Sequence, residues 1–197
     1  MRKMFLVAVV ILFATLAAQA QSQMDIAIGA GTTSGQSASS AGIDYAPQNI
    51  GGGTYLTFSG DYLFWKGLGV GGEISWRASR NLWGGYLPYR PVLYDFNGVY
   101  APKLGERAAL ELQAGIGAES VRFYTGGYTC SSFTGCTTYQ STNHFMGHFG
   151  GGIRLYATPH FFIRPEAHIY LVRNNFEFSG PRVARYGVSL GYTFGGQ

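Results

Sequence analysis

Residues 186–194 read Tyr186-Gly187-Val188-Ser189-Leu190-Gly191-Tyr192-Thr193-Phe194. Every second residue is large and apolar, and glycine, serine or threonine lies between. A period of two places the two sets on opposite faces of a β-strand. Working outward, seven earlier runs share this period, starting near Met24, Gly53, Gly69, Pro91, Ala108, Asn143 and His160, and the last run starts near Arg182. In the seventh run Phe161, Ile163, Ala167, Ile169 and Leu171 alternate with Arg164, Glu166, His168 and Tyr170. In the fifth, Leu110, Leu112, Ala114 and Ile116 alternate with Glu111, Gln113, Gly115 and Gly117. The first run, around Ile26 and Ile28, is the shortest. No amphipathic helix interrupts the series.

The polar face of these runs carries nearly all of their charge: Asp61, Glu73, Arg77, Asp95, Glu111, Glu119, Arg154, Arg164, Glu166 and Arg185. Lysine is absent from these positions, whereas a water-facing sheet surface would normally be rich in it. Glycine is frequent there, as expected where space is tight around a narrow axis. Charged residues make up 12% of the chain, about half the globular norm of ~25%. An apolar outer face against lipid and a polar interior explain these features together.

Connection lengths alternate. Long ones span Ser34 to Gly52, Ser79 to Arg90, Tyr124 to Thr142 and Asn174 to Pro181; short ones centre on Lys66-Gly67, Lys103-Leu104-Gly105 and Thr158-Pro159. Short turns at one end and long loops at the other are the rhythm of a transmembrane barrel. About 10 residues per run at ~40° tilt cover the ~25 Å apolar band. Tyr62, Phe64, Tyr100, Phe161, Tyr192 and Phe194 lie near the short-turn ends, Trp65 in the first short turn, and Trp76 and Tyr186 towards the long-loop ends. Aromatic rings favour that headgroup level. The expected fold is all-β: an eight-stranded antiparallel up-and-down transmembrane β-barrel.

The N-terminus has Arg2 and Lys3, an apolar stretch from Met4 to Ala14 that continues to Ala18, and the small-x-small signal Ala18-Gln19-Ala20. This reads as a cleaved secretory signal peptide over 1–20, leaving 21–197 as one barrel domain. The full chain has 14 Lys+Arg and 10 Asp+Glu, so losing Arg2 and Lys3 leaves 12 − 10 = +2. No basic cluster points to nucleic acid.

The final strand, the strand number and the loop asymmetry resemble the OmpA-like and OmpX-like eight-stranded outer-membrane barrels, over Met24 to Phe194. The resemblance implies residence in the outer membrane among its lipids. It also implies recognition of the strand ending at Phe194 by the barrel-insertion machinery. No peptidoglycan-binding domain is expected.

Eight strands enclose an interior only wide enough for side chains, so the ten inward charges are expected to pair as a plug. A narrow gated ion path through the same column is the alternative. His144, His148, His160 and His168 show no metal-ligand spacing, although His148 and His168 could meet inside the barrel near Glu166 and Glu111. No metal, cofactor or catalytic residue is assigned, and a lipid-modifying enzyme is the less favoured alternative. Cys130 and Cys136 are expected to form a disulfide in the third long loop. If the chain binds an extracellular ligand, Trp83, Tyr86, Tyr89 and Arg90 are the expected contacts, because tyrosine among glycine and serine makes adaptable surfaces. The expected role is structural or one of surface interaction.

Overall fold

Alternation in the sequence becomes alternation in space. In the computed structural model, which describes residues 22–35, 50–131, 135–173, 178 and 180–195, nine strands form one sheet. They are β1 (Gln23–Gly35), β2 (Thr54–Trp65), β3 (Leu68–Arg77), β4 (Asn81–Trp83), β5 (Leu87–Tyr100), β6 (Ala108–Ser131), β7 (Gly135–Tyr156), β8 (Phe161–Val172) and β9 (Arg182–Phe194). Every long strand pairs antiparallel with its two neighbours. β3 pairs with β5 and β9 pairs back onto β1, so eight long strands close into a ring. Closure removes sheet edges and pairs the backbone polar groups that lipid could not satisfy. The described residues contain no helix.

The expected lipid face is the exposed one. Ile28, Phe58, Val70, Phe96, Ile116, Phe149 and Leu190 are all exposed. The polar partners point inward. β8 alternates without a break between exposed and buried from Phe161 to Val172. Exposed Tyr62, Phe64, Trp65, Tyr100, Phe161 and Phe194 ring the short-turn end.

The turn between β2 and β3 is as tight as a hairpin allows. Lys66 and Gly67 both have positive φ, 46° and 83°, the geometry of a two-residue turn whose twist matches the flanking strands.

Two long connections are corrected by the structure. Between Ser79 and Arg90, β4 folds back on the start of β5 over Gly84, Gly85 and Tyr86. The stretch 124–142 is mostly strand. β6 and β7 run 24 and 22 residues and pair as far as Ser131 and Gly135, across a bulge between Tyr124 and Thr129. The periodicity of two was hidden there because the hairpin projects beyond lipid and its outer residues are polar. Residues 1–20 lie outside the described residues, as does most of the first long connection.

Candidate functional site

The inward residues of the ring stack in layers, and the two middle layers hold the charge. In the lower one, towards the short turns, Arg154 on β7 is fully buried and reaches three carboxylates. Its guanidinium donates to Asp25 and Glu111, and its Nη2 to Asp61 at 3.0 Å. Arg164 on β8 donates to Glu111 at 2.5 Å, Glu166 at 2.8 Å and the Ser59 hydroxyl at 3.0 Å. Gln113 donates to Glu111 at 2.6 Å. The planar fork of arginine is what allows one cation to serve several carboxylates.

The next layer is built on Arg185 of β9. It donates to Glu73 at 2.5 Å, Glu166 at 3.0 Å, the Thr57 hydroxyl at 2.5 Å and the Tyr170 hydroxyl at 3.1 Å. The Tyr170 hydroxyl in turn donates to Glu73 at 2.9 Å. Beside it, His148 and His168 face each other, Nε2 to Nδ1, at 2.8 Å. Asn97 donates to Asp95 at 2.5 Å, so its carbonyl oxygen is what lies 2.8 Å from Nδ1 of His148. That oxygen and the Asp95 carboxylate, 3.3 Å away, both accept, so Nδ1 of His148 is the donor on this side. Glycine at 150 makes the meeting possible: a Cβ there would stand 2.3 Å from Nδ1 of His168.

An apolar cluster lies towards each end of the column. At the long-loop end Ile50, Tyr89, Leu93, Val121, Met146, Val172, Phe178 and Val183 pack into one buried cluster, with Trp83 and Phe123 against it. At the short-turn end Leu63, Val99 and Ala101 form a second cluster, and Phe162 lies 5.2 Å under the Arg154 guanidinium. Apolar clusters thus lie towards both ends of the interior, with the ion-paired layers between them.

All ten charges expected inside are buried there. Asp61, Glu73, Glu111, Arg154, Arg164, Glu166 and Arg185 form one connected ion-pair system. Asp95 joins the histidine pair. Arg77 and Glu119 sit higher, near the Tyr55 ring and the upper cap. Sequence reasoning missed Asp25, although its parity with Ala27 and Gly29 in the first run pointed to it. It also missed the upper cap, where Leu93 shares parity with Asp95.

The loop contacts divide. Tyr86 is 72% exposed and Arg90 half-buried on the outside. Tyr89 is fully buried in the upper cap, 5.3 Å from Phe178 between ring centres, which corrects its assignment as a surface contact. Its odd-numbered parity with Leu93 and Asp95 turns it inward. Trp83 packs edge-on against Phe123 at 6.0 Å. Cys130 and Cys136 are cross-strand partners near the tip of the β6–β7 hairpin and are joined by a disulfide.

The His144 ring is buried near the long-loop end, and His160 lies in a short turn against Tyr192. Glu73, Glu166 and His168 approach closely enough to suggest metal ligation, but Arg185 already bridges the two carboxylates and fills the cation position.

The model of a family described as outer membrane protein beta-barrel domain matches residues 5–194. Among solved structures, neisserial surface protein A superposes with a TM-score of 0.59 at 9% identity, covering 88% of this chain and 97% of that one. A major outer membrane protein from Thermus thermophilus gives 0.56 at 12% identity, covering 88% and 99%. Ail, the attachment invasion locus protein of Yersinia pestis, gives 0.52 at 16% identity, covering 89% and 99%. At such identities the likeness is one of fold. No curated protein matches the chain.

Proposed function

The chain belongs to the outer membrane protein β-barrel domain family and resides in the bacterial outer membrane, and from that premise we propose that it is a non-catalytic, closed barrel that presents its long-loop end at the cell surface. The observation that supports this reading is the filled interior, with buried ion pairs at mid-height and an apolar cluster towards each end. Moving an ion through it would pull buried arginines away from the carboxylates they pair with, at a cost of several kcal/mol. The parts left to interact with other molecules are then outside. They are the β6–β7 hairpin with its disulfide, and the exposed side chains around Trp83, Tyr86 and Arg90. In this reading residues 1–20 are removed during export, and the strand ending at Phe194 is what the insertion machinery recognises.

Three measurements test the proposal together. Protease added to intact cells is expected to cut within the 125–140 hairpin and leave the barrel strands whole; cutting only after the outer membrane is opened would reverse the orientation. Folded protein in a planar bilayer is expected to give no conductance steps. Discrete steps would replace the closed barrel with the gated channel, and an altered lipid A profile on expression would replace it with the enzyme.

A further inference from the structure

Three arginines stand together on the outer face where the apolar band ends, and we propose that they hold the phosphate groups of an anionic glycolipid in the outer leaflet. Cross-strand registers put the outward residues in rows. Tyr94, Ala118 and Phe145 form one row; Val92, Ser120 and Asn143 the next; Arg90, Arg122 and Ser141 the next; and above them Tyr124 faces Tyr139. Greasy side chains give way to small polar ones and then to guanidinium groups. On β5 the step from Tyr100 to Arg90 is ten residues, which at ~3.4 Å per residue and ~40° tilt is roughly 26 Å of height. That equals the ~25 Å apolar band, so the arginines lie at headgroup level.

Among the described residues, no carboxylate matches the charge at this place. Arg90 and Arg122 are direct cross-strand partners, and like charges so placed repel. Among the described residues, every carboxylate except Glu106 is buried inside the barrel, and Glu106 lies in the short connection between β5 and β6 at the opposite end. What holds the cations is aromatic stacking. The Arg80 guanidinium lies 3.7 Å over the Tyr124 ring and Arg122 lies 5.2 Å over Tyr139, with the two rings 6.0 Å apart. Arg90 Nη2 donates to the Ala78 carbonyl at 3.1 Å, two residues before Arg80. Stacking fixes the plane of a guanidinium and leaves its N–H edge to an anion. Planar forks of this kind bind phosphate oxygens in pairs. The cluster faces sideways from the barrel wall rather than up from the loop tips, so its partner is a membrane lipid and not a soluble glycan.

The inference rests on the orientation proposed above, with the long loops outside. Its test is made in detergent, where orientation does not enter, so the two readings fail separately. Native mass spectrometry of the folded protein is performed with three probes: bisphosphorylated lipid A, the same lipid stripped of phosphate, and a sulfated heparin-type oligosaccharide. The wild type is expected to hold the phosphorylated lipid and to lose about tenfold in affinity for the stripped one. R90Q/R122Q is expected to lose about as much towards the phosphorylated lipid, and R90K/R122K to retain most of it, with heat-modifiable gel migration showing that each variant is folded. Equal binding of the two lipids by wild type, or undiminished binding by the folded R90Q/R122Q variant, would overturn the proposal. So would preferential capture of the oligosaccharide at these arginines. If the glutamine variant does not fold, the comparison of the two lipids on wild type still decides.

Discussion

At the scale of single residues, Arg154 concentrates the most charge. It is fully buried and faces Asp25, Asp61 and Glu111. Removing one partner of a buried ion system leaves the others uncompensated, which costs more than the system contributed as a whole. Arg154→Met keeps the length of the side chain and removes the charge, leaving Asp61 and Glu111 to Arg164 as their only cation among the described residues and Asp25 to the Gln23 amide. The expected loss is about 3–5 kcal/mol, read as a lowered urea midpoint for unfolding from lipid vesicles. An unchanged midpoint would mean that these carboxylates are not ionised together. The arginine itself was legible in the sequence, from its parity and from the absence of lysine on its face. Which carboxylates it meets was not, because Asp25 and Arg154 are 129 positions apart.

At the scale of elements, the β6–β7 hairpin departs furthest from expectation. Barrel-length runs were legible because lipid forces apolar and polar residues to alternate; beyond the band no such force acts, and strand continues through Thr- and Tyr-rich sequence. The disulfide closes a segment with six residues of separation, and closing so short a loop contributes about 2 kcal/mol, confined to the hairpin. C130S/C136S is therefore expected to leave the urea midpoint of the barrel unchanged. Proteolysis of the hairpin on intact cells is expected to speed up about tenfold or more, since the local opening free energy falls. Equal cleavage rates with and without the bridge would show that strand pairing alone holds the hairpin.

At the scale of the molecule, the ring exists only if β9 meets β1. Their register runs from Met24 against Phe194 to Gly35 against Val183, joining the two ends of the chain. The seam is close: a Cβ on Gly31 would stand 2.3 Å from the Tyr186 carbonyl oxygen and 2.9 Å from the Gly187 Cα. Both obstacles are backbone and cannot swing aside. Gly31→Val is expected to block closure, so that most of the protein stays at the unfolded position in a heat-modifiability gel. Gly52→Ala, at a residue with nothing nearby but a positive φ of 82°, is expected to fold with only a small loss of stability. A folded Gly31→Val barrel would mean that the seam has slack.

The sequence by itself determined the eight barrel-length runs, the alternation of faces along them, the short turn at Lys66-Gly67 and the shared parity of the ten charges. It could do so because lipid outside and a narrow space inside act on every residue locally, through a period of two. Only the tertiary structure decided which charges meet, that His148 and His168 face each other at hydrogen-bond distance, that Tyr89 packs on Phe178 over the column, and that Arg80, Arg90 and Arg122 gather on the outer wall. Those facts depend on strand register and ring closure, which bring together residues from distant parts of the chain. Parity names the face a residue occupies, and register alone names its neighbours across the strand.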